Sequence, residues 1–170
     1  GNDTQSVSVE MKKYGLNVVG VPKTIDNDIG GTDYSIGFDT AVTTAVEALD
    51  RLHSTAEAHH RVIIMEVMGR DCGAIASAAG YAAGADYILI PELSVDVDDV
   101  LSVIISRKKR GKNFSLIVVA EGTRLNHDQF HDEADAFGNK KLGGVGQALA
   151  DALKQRKDSL EIRAISLGHL

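Results

Sequence analysis

The 170-residue chain has one cysteine, two prolines, no tryptophan, four tyrosines and four phenylalanines. A single cysteine excludes an internal disulfide framework and favours a reducing compartment. Neither a signal peptide nor a long apolar span is recognised, so we expect a soluble, cytoplasmic protein. Basic residues are also not in excess, because the formal net charge is −6. That charge argues against a nucleic-acid-binding surface.

The composition is that of a globular chain, with 44% apolar and 25% charged residues. Its length suits one ordinary domain, or a domain and a fragment of another, with a substantial core. Because the surface is acidic overall, an anionic ligand must be bound locally, by a few well-placed cations and backbone amides.

Apolar runs alternate with amphipathic segments along the chain, which predicts an α/β fold of three layers, αβα, around a mostly parallel sheet. The predicted strands are 16–21, 62–67, 87–90, 114–120 and 161–167, and the predicted helices are 6–14, 35–58, 73–83, 96–110 and 142–156. Ligands of such sheets bind beyond the carboxyl ends of the strands. Polar motifs follow Val21, Val67, Ala120 and Leu167, at those ends.

The motif Pro-Lys-Thr-Ile-Asp-Asn-Asp occupies residues 22–28. If it is extended, Thr24, Asp26 and Asp28 share one side, with the two carboxylates roughly 7 Å apart. A hydroxyl, two acids and the amine of Lys23 suit phosphoryl transfer to an alcohol. By itself the motif is equally typical of a turn between a strand and a helix. A calcium loop is excluded, because glycines occupy two of its ligand positions.

Residues 68–73, Met-Gly-Arg-Asp-Cys-Gly, leave one predicted strand and open a helix, where free amides favour an anion. Arg70 could bind phosphate or carboxylate with two parallel hydrogen bonds, or could form a surface ion pair. Cys72 has no base placed beside it by the sequence, so we interpret it as a small buried thiol. Glu121 could hold a sugar hydroxyl or cap the segment that follows.

Three further patterns carry weaker signals. His127 and His131 would form a metal-binding face on a helix, but a solvated acidic segment is favoured. The basic run at 107–112 is interpreted as a solvated helix end. Gly-Asn-Asp-Thr at 1–4 is typical of the end of a phosphate loop, and it indicates a chain that starts inside a motif.

In this order, the pieces resemble the 6-phosphofructokinase family over essentially the whole chain. The matching motifs are Gly-Asn-Asp-Thr at 1–4, Pro-Lys-Thr-Ile-Asp-Asn-Asp at 22–28, Thr-Asp-Tyr-Ser-Ile-Gly-Phe-Asp-Thr-Ala at 32–41, Arg61, Met-Gly-Arg at 68–70, Glu121 and Leu-Gly-His-Leu at 167–170. The related NAD kinases share a glycine-aspartate phosphate loop but lack the motifs at 24–28 and 68–70.

The resemblance implies a general base, Asp26, acting on the 1-hydroxyl of fructose 6-phosphate, with Asp28 assisting charge and metal placement. Thr24 and Arg70 would hold the transferred phosphoryl group. The implied sugar-phosphate contacts are Ile25, Met68, Gly69, Glu121 and His169. Arg61 and Arg163 would reach the 6-phosphate bound by a neighbouring subunit, which implies a homo-oligomer, a dimer or a tetramer.

The phosphoryl donor is expected to be pyrophosphate, with ATP as the alternative. In the resembled family, glycine at the positions of Asp3 and Lys23 goes with ATP, whereas Asp and Lys go with pyrophosphate. Asp3 would repel the α-phosphate of a nucleotide, and Lys23 would neutralise the departing phosphate. Gly1 and Thr4 complete the implied donor site. Mg²⁺ is the implied cofactor, with Asn2 as a tentative ligand.

On the plan of this family, residues 1–37 form the edge of the donor lobe and residues 38–170 form the sugar-phosphate lobe. We therefore expect an internal fragment of an allosteric glycolytic enzyme that is inactive in isolation. A non-catalytic fragment that retains only sugar-phosphate binding is the remaining alternative.

Overall fold

Five helices and six strands make up the part of the chain that the computed structural model describes, residues 2–125 and 144–168. The helices are α1 (Asn2–Lys13), α2 (Phe38–His59), α3 (Ala74–Ala82), α4 (Val97–Lys109) and α5 (Val145–Arg156). The strands are β1 (Lys23–Thr24), β2 (Ile36–Gly37), β3 (Val62–Val67), β4 (Tyr87–Leu89), β5 (Ser115–Ala120) and β6 (Ile162–Ser166).

The main sheet has the strand order β4-β5-β3-β6, and every neighbouring pair is parallel. All residues of β3 and β5 are buried, as expected for central strands covered on both faces. Alternate residues face opposite layers: Met65 packs with α2 and α3, whereas Ile64 packs with α4 and α5. The three-layer α/β prediction is therefore confirmed.

Helix α3 is rich in alanine and contains Gly80, because it lies very close to the sheet. A Cβ atom on Gly80 would be 2.8 Å from the Ile88 side chain, closer than such atoms approach. Helix α4 begins after Asp96, whose carboxylate accepts a hydrogen bond from the Asp98 amide at 2.8 Å. Such a cap satisfies one of the free amides of the first turn.

The predicted strand at 16–21 is wrong. Among the described residues no strand pairs with this segment, and Leu16, Val19 and Val21 are exposed, Val19 by 90%. An extended segment needs a neighbour for its backbone hydrogen bonds, whatever its apolar content. Pairing occurs instead in a separate parallel sheet of two strands, β1 and β2, which the sequence did not predict.

Helix α2 begins at Phe38, three residues after the predicted start, because Gly37 adopts a φ of 109°. The predicted helix at 142–156 begins at Val145, because its N-cap Gly144 adopts a left-handed φ of 89°, and residues 126–143 lie outside the described part. No helix of that part combines the length and apolar character needed to cross a membrane.

The basic run at 107–112 is solvated at Lys108, Lys109, Arg110 and Lys112, as predicted for a helix end, but not at Arg107. The Arg107 side chain is only 17% exposed, and its guanidinium lies 2.6 Å from the carboxylate of Asp86. The same guanidinium donates to the hydroxyl of Ser115 at 3.2 Å and lies over the ring of Phe114. Arg107 therefore ties the end of α4 to the start of β5.

Candidate active site

The acidic motif at 22–28 is not extended, contrary to the expected alternation of side chains. The backbone bends at Ile25 and Asp26, and Asn27 has a φ of 55°. The Thr24 hydroxyl donates to the Asp26 carboxylate at 3.2 Å, and the Asp26 amide lies 3.3 Å from the same hydroxyl oxygen. The motif is thus a turn in its backbone. That turn still brings a buried hydroxyl into contact with a half-buried acid, whereas Asp28 is exposed.

Ser35 and Asn27 close this turn, and sequence reasoning assigned neither of them a role. The Ser35 hydroxyl donates to the Thr24 carbonyl at 2.8 Å, and the Ser35 amide donates to Asn27 Oδ1 at 2.7 Å. Asn27 Nδ2 in turn donates to the Asp33 carbonyl at 3.3 Å. The signal available in the sequence was asparagine itself, which tolerates a left-handed conformation and bonds nearby backbone.

The carboxyl ends of β3 and β5 are joined by main-chain hydrogen bonds. The Glu121 amide donates to the Val67 carbonyl at 2.9 Å, and the Gly122 amide donates to the Gly69 carbonyl at 3.0 Å. Glu121 Oε1 accepts a long hydrogen bond of 3.5 Å from the Gly69 amide. Gly69 has a φ of 145°, and a Cβ there would lie 2.5 Å from the Cys72 carbonyl oxygen, so only glycine fits.

Arg70 follows this junction and is exposed. No described residue forms an ion pair with its guanidinium, so the surface ion pair considered from the sequence is absent from this part of the chain. A cation with no carboxylate partner beside a strand end can meet an incoming phosphate.

A cavity of about 210 Å³ lies where the predicted motifs meet. Ile25 from the acidic motif, Met68 from the end of β3 and Gly168 from the end of β6 all line it. Thr40 and Thr44 of α2 supply hydroxyl groups to its wall. Three segments that are far apart in the sequence therefore share one concave surface, as expected of a ligand site.

The charges that shift the pKa of the Cys72 thiol indicate that the acidic motif lies near the loop after β3. Burial raises the pKa of its thiol, and the charges of Glu92, Asp28 and Asp26 raise it further, whereas a hydrogen bond to Ala74 lowers it. A thiol with a raised pKa is protonated at neutral pH and is a poor nucleophile. Asp26 and Asp28 therefore lie within electrostatic reach of this loop.

Arg61 and Arg163 lie at the other end of the sheet. Arg61 immediately precedes β3, and Arg163 of β6 pairs with Ile63. Since β3 has six residues, these arginines are separated from Met68 by roughly 20 Å along the strand. Among the described residues the Nε atom of Arg61 has no hydrogen-bond partner, and it lies 3.9 Å from the Glu161 carboxylate. This chain does not bring the two arginines to its own cavity.

The first turn of α1 lies against the segment that leads to Lys23, because Gln5 Nε2 donates to the Val21 carbonyl at 2.7 Å. Thr4, the neighbour of Gln5, is exposed there, as is Lys23. The side chains of Asn2 and Asp3 lie outside the described part, as do Gly1, His127, His131 and His169.

The described residues include no group of three or more His, Cys, Asp or Glu side chains that could hold a metal ion. The available donors are the carboxylates of Asp26 and Asp28 and the hydroxyl of Thr24. Hard oxygen ligands of this kind fit Mg²⁺, which is commonly bound by one or two carboxylates together with substrate phosphates.

The chain is similar to known proteins over its whole length. The family model described as Phosphofructokinase matches residues 1–170. The ATP-dependent 6-phosphofructokinase 1 of Nostoc sp. is 52% identical over 155 residues, which cover 91% of this chain and 43% of the relative. The pyrophosphate–fructose 6-phosphate 1-phosphotransferase of Amycolatopsis mediterranei is 50% identical over 174 residues, which cover 100% of this chain and 50% of the relative.

A solved structure of phosphofructokinase from Saccharomyces cerevisiae has a TM-score of 0.74 and 35% identity, and the match covers 91% of this chain and 19% of that one. The chain spans about half the length of the curated relatives it matches. The match of the family model over the whole chain, with relatives about 50% identical to it, is sufficient to assign the family. The chain belongs to the phosphofructokinase family.

Proposed function

We propose that the full-length protein transfers a phosphoryl group from pyrophosphate to the 1-hydroxyl of fructose 6-phosphate, reversibly forming fructose 1,6-bisphosphate. The observation that carries this proposal is the contact between Thr24 and Asp26 beside the cavity lined by Ile25, Met68 and Gly168. It places an acid and a hydroxyl next to a concave surface that can hold a small substrate.

In the proposed reaction Asp26 accepts the proton of the 1-hydroxyl as its oxygen attacks the phosphorus. The bond between that phosphorus and its leaving phosphate oxygen breaks, and the leaving group keeps the electron pair. The Thr24 hydroxyl can rotate from Asp26 to donate to a phosphoryl oxygen. Arg70 adds positive charge where negative charge develops in the transition state.

Sugar-phosphate binding is assigned to residues from both ends of the sheet. Ile25, Met68 and Gly69 shape the sugar site, Glu121 accepts from sugar hydroxyls, and His169 contacts the 6-phosphate. Arg61 and Arg163, roughly 20 Å away along the strand, are proposed to contact the substrate of a neighbouring subunit. This arrangement requires a homo-oligomer.

The donor is proposed to be pyrophosphate because Asp3 and Lys23 replace the glycines that accompany ATP use in this family. The contact of Gln5 with Val21 supports a shared donor site for the start of α1 and Lys23. ATP is the second candidate, since the relative from Nostoc sp. is named as ATP-dependent. With either donor, residues 1–37 are proposed to form the edge of the donor lobe and residues 38–170 the sugar-phosphate lobe.

Mg²⁺ is proposed as the cofactor, held by Asp28 and Asn2 together with phosphate oxygens. When bound, it would neutralise charge on the phosphates. The chain's own contribution is to present oxygen donors beside the acid that takes the proton.

Replacement Asp26→Asn in the full-length protein tests the mechanism. Turnover is expected to fall at least about 100-fold, while calorimetric binding of fructose 6-phosphate persists, because a lost base chiefly affects turnover. An exposed carboxylate in the same loop, Asp33, provides the matched control as Asp33→Asn. Normal turnover by the Asp26→Asn variant would show that the assigned base is wrong.

Assays with pyrophosphate and with ATP test the donor separately. Turnover with pyrophosphate is expected, and rapid turnover with ATP alone would overturn the donor assignment. Calorimetry and an activity assay on the 170-residue chain test whether it is a binding fragment. Binding without turnover is expected there.

A further inference from the structure

Ser35 is a buried polar residue that has no assigned role in the proposed reaction. Its side chain is only 4% exposed, and both of its polar groups are bonded to the acidic turn. The hydroxyl donates to the Thr24 carbonyl at 2.8 Å, and the amide donates to Asn27 Oδ1 at 2.7 Å. One serine thus holds residues that flank Asp26 on both sides.

Asn27 separates Asp26 from Asp28 and has a φ of 55°. In this left-handed conformation the chain reverses locally, so Asn27 determines the direction in which the two neighbouring carboxylates leave the backbone. Residues other than glycine rarely adopt it, and asparagine does so most readily when its side chain is bonded locally. The bonds from Asn27 to Ser35 and Asp33 supply that local support.

The hydrogen bonds form a continuous path from Ser35 to the acid. Ser35 binds the main chain of Thr24, and the side chain of Thr24 binds the Asp26 carboxylate. The pairing of β1 with β2 holds the two ends of the loop, since Thr24 pairs with Gly37 and Lys23 with Ile36. Asp26 is therefore held from within the loop by Thr24, because its amide donates to the Thr24 hydroxyl oxygen, a bond that remains when this hydroxyl donates to a phosphoryl oxygen.

We propose that Ser35 and Asn27 are positioning residues that hold Asp26 in its reactive orientation. Neither residue needs to touch the substrate, because both act through the backbone on either side of the acid. This inference rests on the proposed function, in which Asp26 takes the proton. A displacement of about 1 Å in a reacting group can reduce turnover about 100-fold, so a loss of either hydrogen bond should be measurable.

The first test compares Ser35→Ala with Ser35→Thr in the full-length protein. Ser35→Ala is expected to lower kcat about 10- to 100-fold and to change KM for fructose 6-phosphate less than about threefold, since only orientation is lost. Ser35→Thr keeps the hydroxyl and is expected to recover most of kcat. Ser54→Ala removes an exposed helix serine that also bonds a main-chain carbonyl, and it is expected to leave kcat unchanged.

A purely structural role for Ser35 predicts a different pattern. In that case Ser35→Ala would lower the melting temperature and the yield of folded enzyme, but kcat per folded subunit would stay within about twofold of the unaltered protein. That pattern, or an equal loss of kcat in Ser54→Ala, would overturn the proposal.

Asn27→Gly provides a second variant if Ser35→Ala fails to fold. Glycine adopts the left-handed conformation without strain, so the backbone path is retained while the acceptor for the Ser35 amide is lost. The expected result is a fall in kcat of about tenfold with KM retained. A kcat equal to that of the unaltered protein would exclude a positioning role for the Asn27 side chain.

The double variant Asp26→Asn with Ser35→Ala separates this inference from the proposed function. If Ser35 acts through Asp26, adding Ser35→Ala to Asp26→Asn causes little further loss, because the two changes remove the same contribution. A full additional 10- to 100-fold loss would overturn the positioning role while leaving Asp26 as the base. Failure of the proposed function shows itself differently, as normal turnover in Asp26→Asn alone.

Discussion

The carboxylate of Glu66 lies 2.8 Å from the amide of Gly146, although 80 residues of chain separate them. Its other oxygen accepts from the Gly144 amide at 3.0 Å, and the residue is only 4% exposed. No described cation pairs with Glu66. The free amides at the start of α5 therefore compensate the buried charge, with the helix dipole adding to them.

Removing this carboxylate should destabilise the fold. Glu66→Ala is expected to lower the free energy of unfolding by about 2–4 kcal/mol, because the amides of Gly144 and the buried Gly146 lose a charged acceptor. Glu66→Gln should cost less, since one oxygen remains to accept. Urea denaturation measures both, with the exposed Glu57→Ala as a control expected to shift stability by no more than about 0.5 kcal/mol. Equal stability of the Glu66 and Glu57 variants would contradict this role.

Two ion pairs of equal length should differ in their contribution to stability. Arg107 and Asp86 are 2.6 Å apart with side chains 17% and 12% exposed, and Asp86 also accepts from the Leu116 amide. Lys13 and Glu10 are likewise 2.6 Å apart but are 66% and 57% exposed.

Asp86→Ala is expected to lower the free energy of unfolding by about 3 kcal/mol, since it leaves Arg107 nearly buried without its anion. Glu10→Ala should cost less than about 1 kcal/mol, because water and salt screen an exposed pair. Denaturation at low and high salt measures both changes. Comparable losses in the two variants would show that burial does not set the difference.

Gly122 should be intolerant of a side chain, whereas Gly30 should tolerate one. A Cβ on Gly122 would overlap the Arg70 carbonyl oxygen, whereas a Cβ on Gly30 would meet no described atom within 4 Å. Gly122→Ala is therefore expected to displace Arg70, costing about 1–3 kcal/mol of stability and at least about tenfold in turnover. Gly30→Ala should be close to neutral in both measurements. Normal turnover in Gly122→Ala would contradict the proposed role of Arg70 in phosphoryl transfer.

The reactivity of Cys72 should report the charges around it. Because burial and the nearby carboxylates raise the pKa of the thiol, alkylation by iodoacetamide at pH 8 should be slower than that of free cysteine. Asp26→Asn or Asp28→Asn should lower this pKa and speed alkylation, whereas Asp33→Asn should not. Mass spectrometry of the peptide containing Cys72 follows the rate at each pH.

The stability of the protein should change with pH in the corresponding direction. The raised pKa means that folding favours the protonated thiol, so this contribution is present below the unfolded pKa and is lost as pH rises through the folded pKa. Cys72→Ser should remove that alkaline loss. An unchanged alkaline loss in Cys72→Ser would assign it to other groups.

The main sheet could be predicted because its strands carry their own signal. The runs at 62–67 and 114–120 are apolar almost throughout, which only a strand covered on both faces requires. The same signal gave a wrong strand prediction at 16–21, where the apolar run has no described neighbour with which to pair. Strand formation depends on a partner, and a single segment cannot specify its partner.

The candidate site was predicted by residue type and not by geometry. The motif at 22–28 contains the acids and the hydroxyl, but the left-handed Asn27 removes the alternation that an extended strand would have produced. Ser35 was visible only as a member of a longer motif, because its importance lies in a bond to Thr24, 11 residues earlier.

The sequence by itself determined the layer architecture, the family and the chemical groups that we propose for phosphoryl transfer. These follow from local apolar patterns and from residue types, which do not depend on contacts between distant parts of the chain. Only the tertiary structure decided that Thr24 bonds Asp26, that Glu66 holds α5, and that Arg61 and Arg163 lie away from the cavity. Each of these depends on how strand ends and turns meet in space, and the hydrogen bonds and burial that favour one arrangement exist only after the chain has folded.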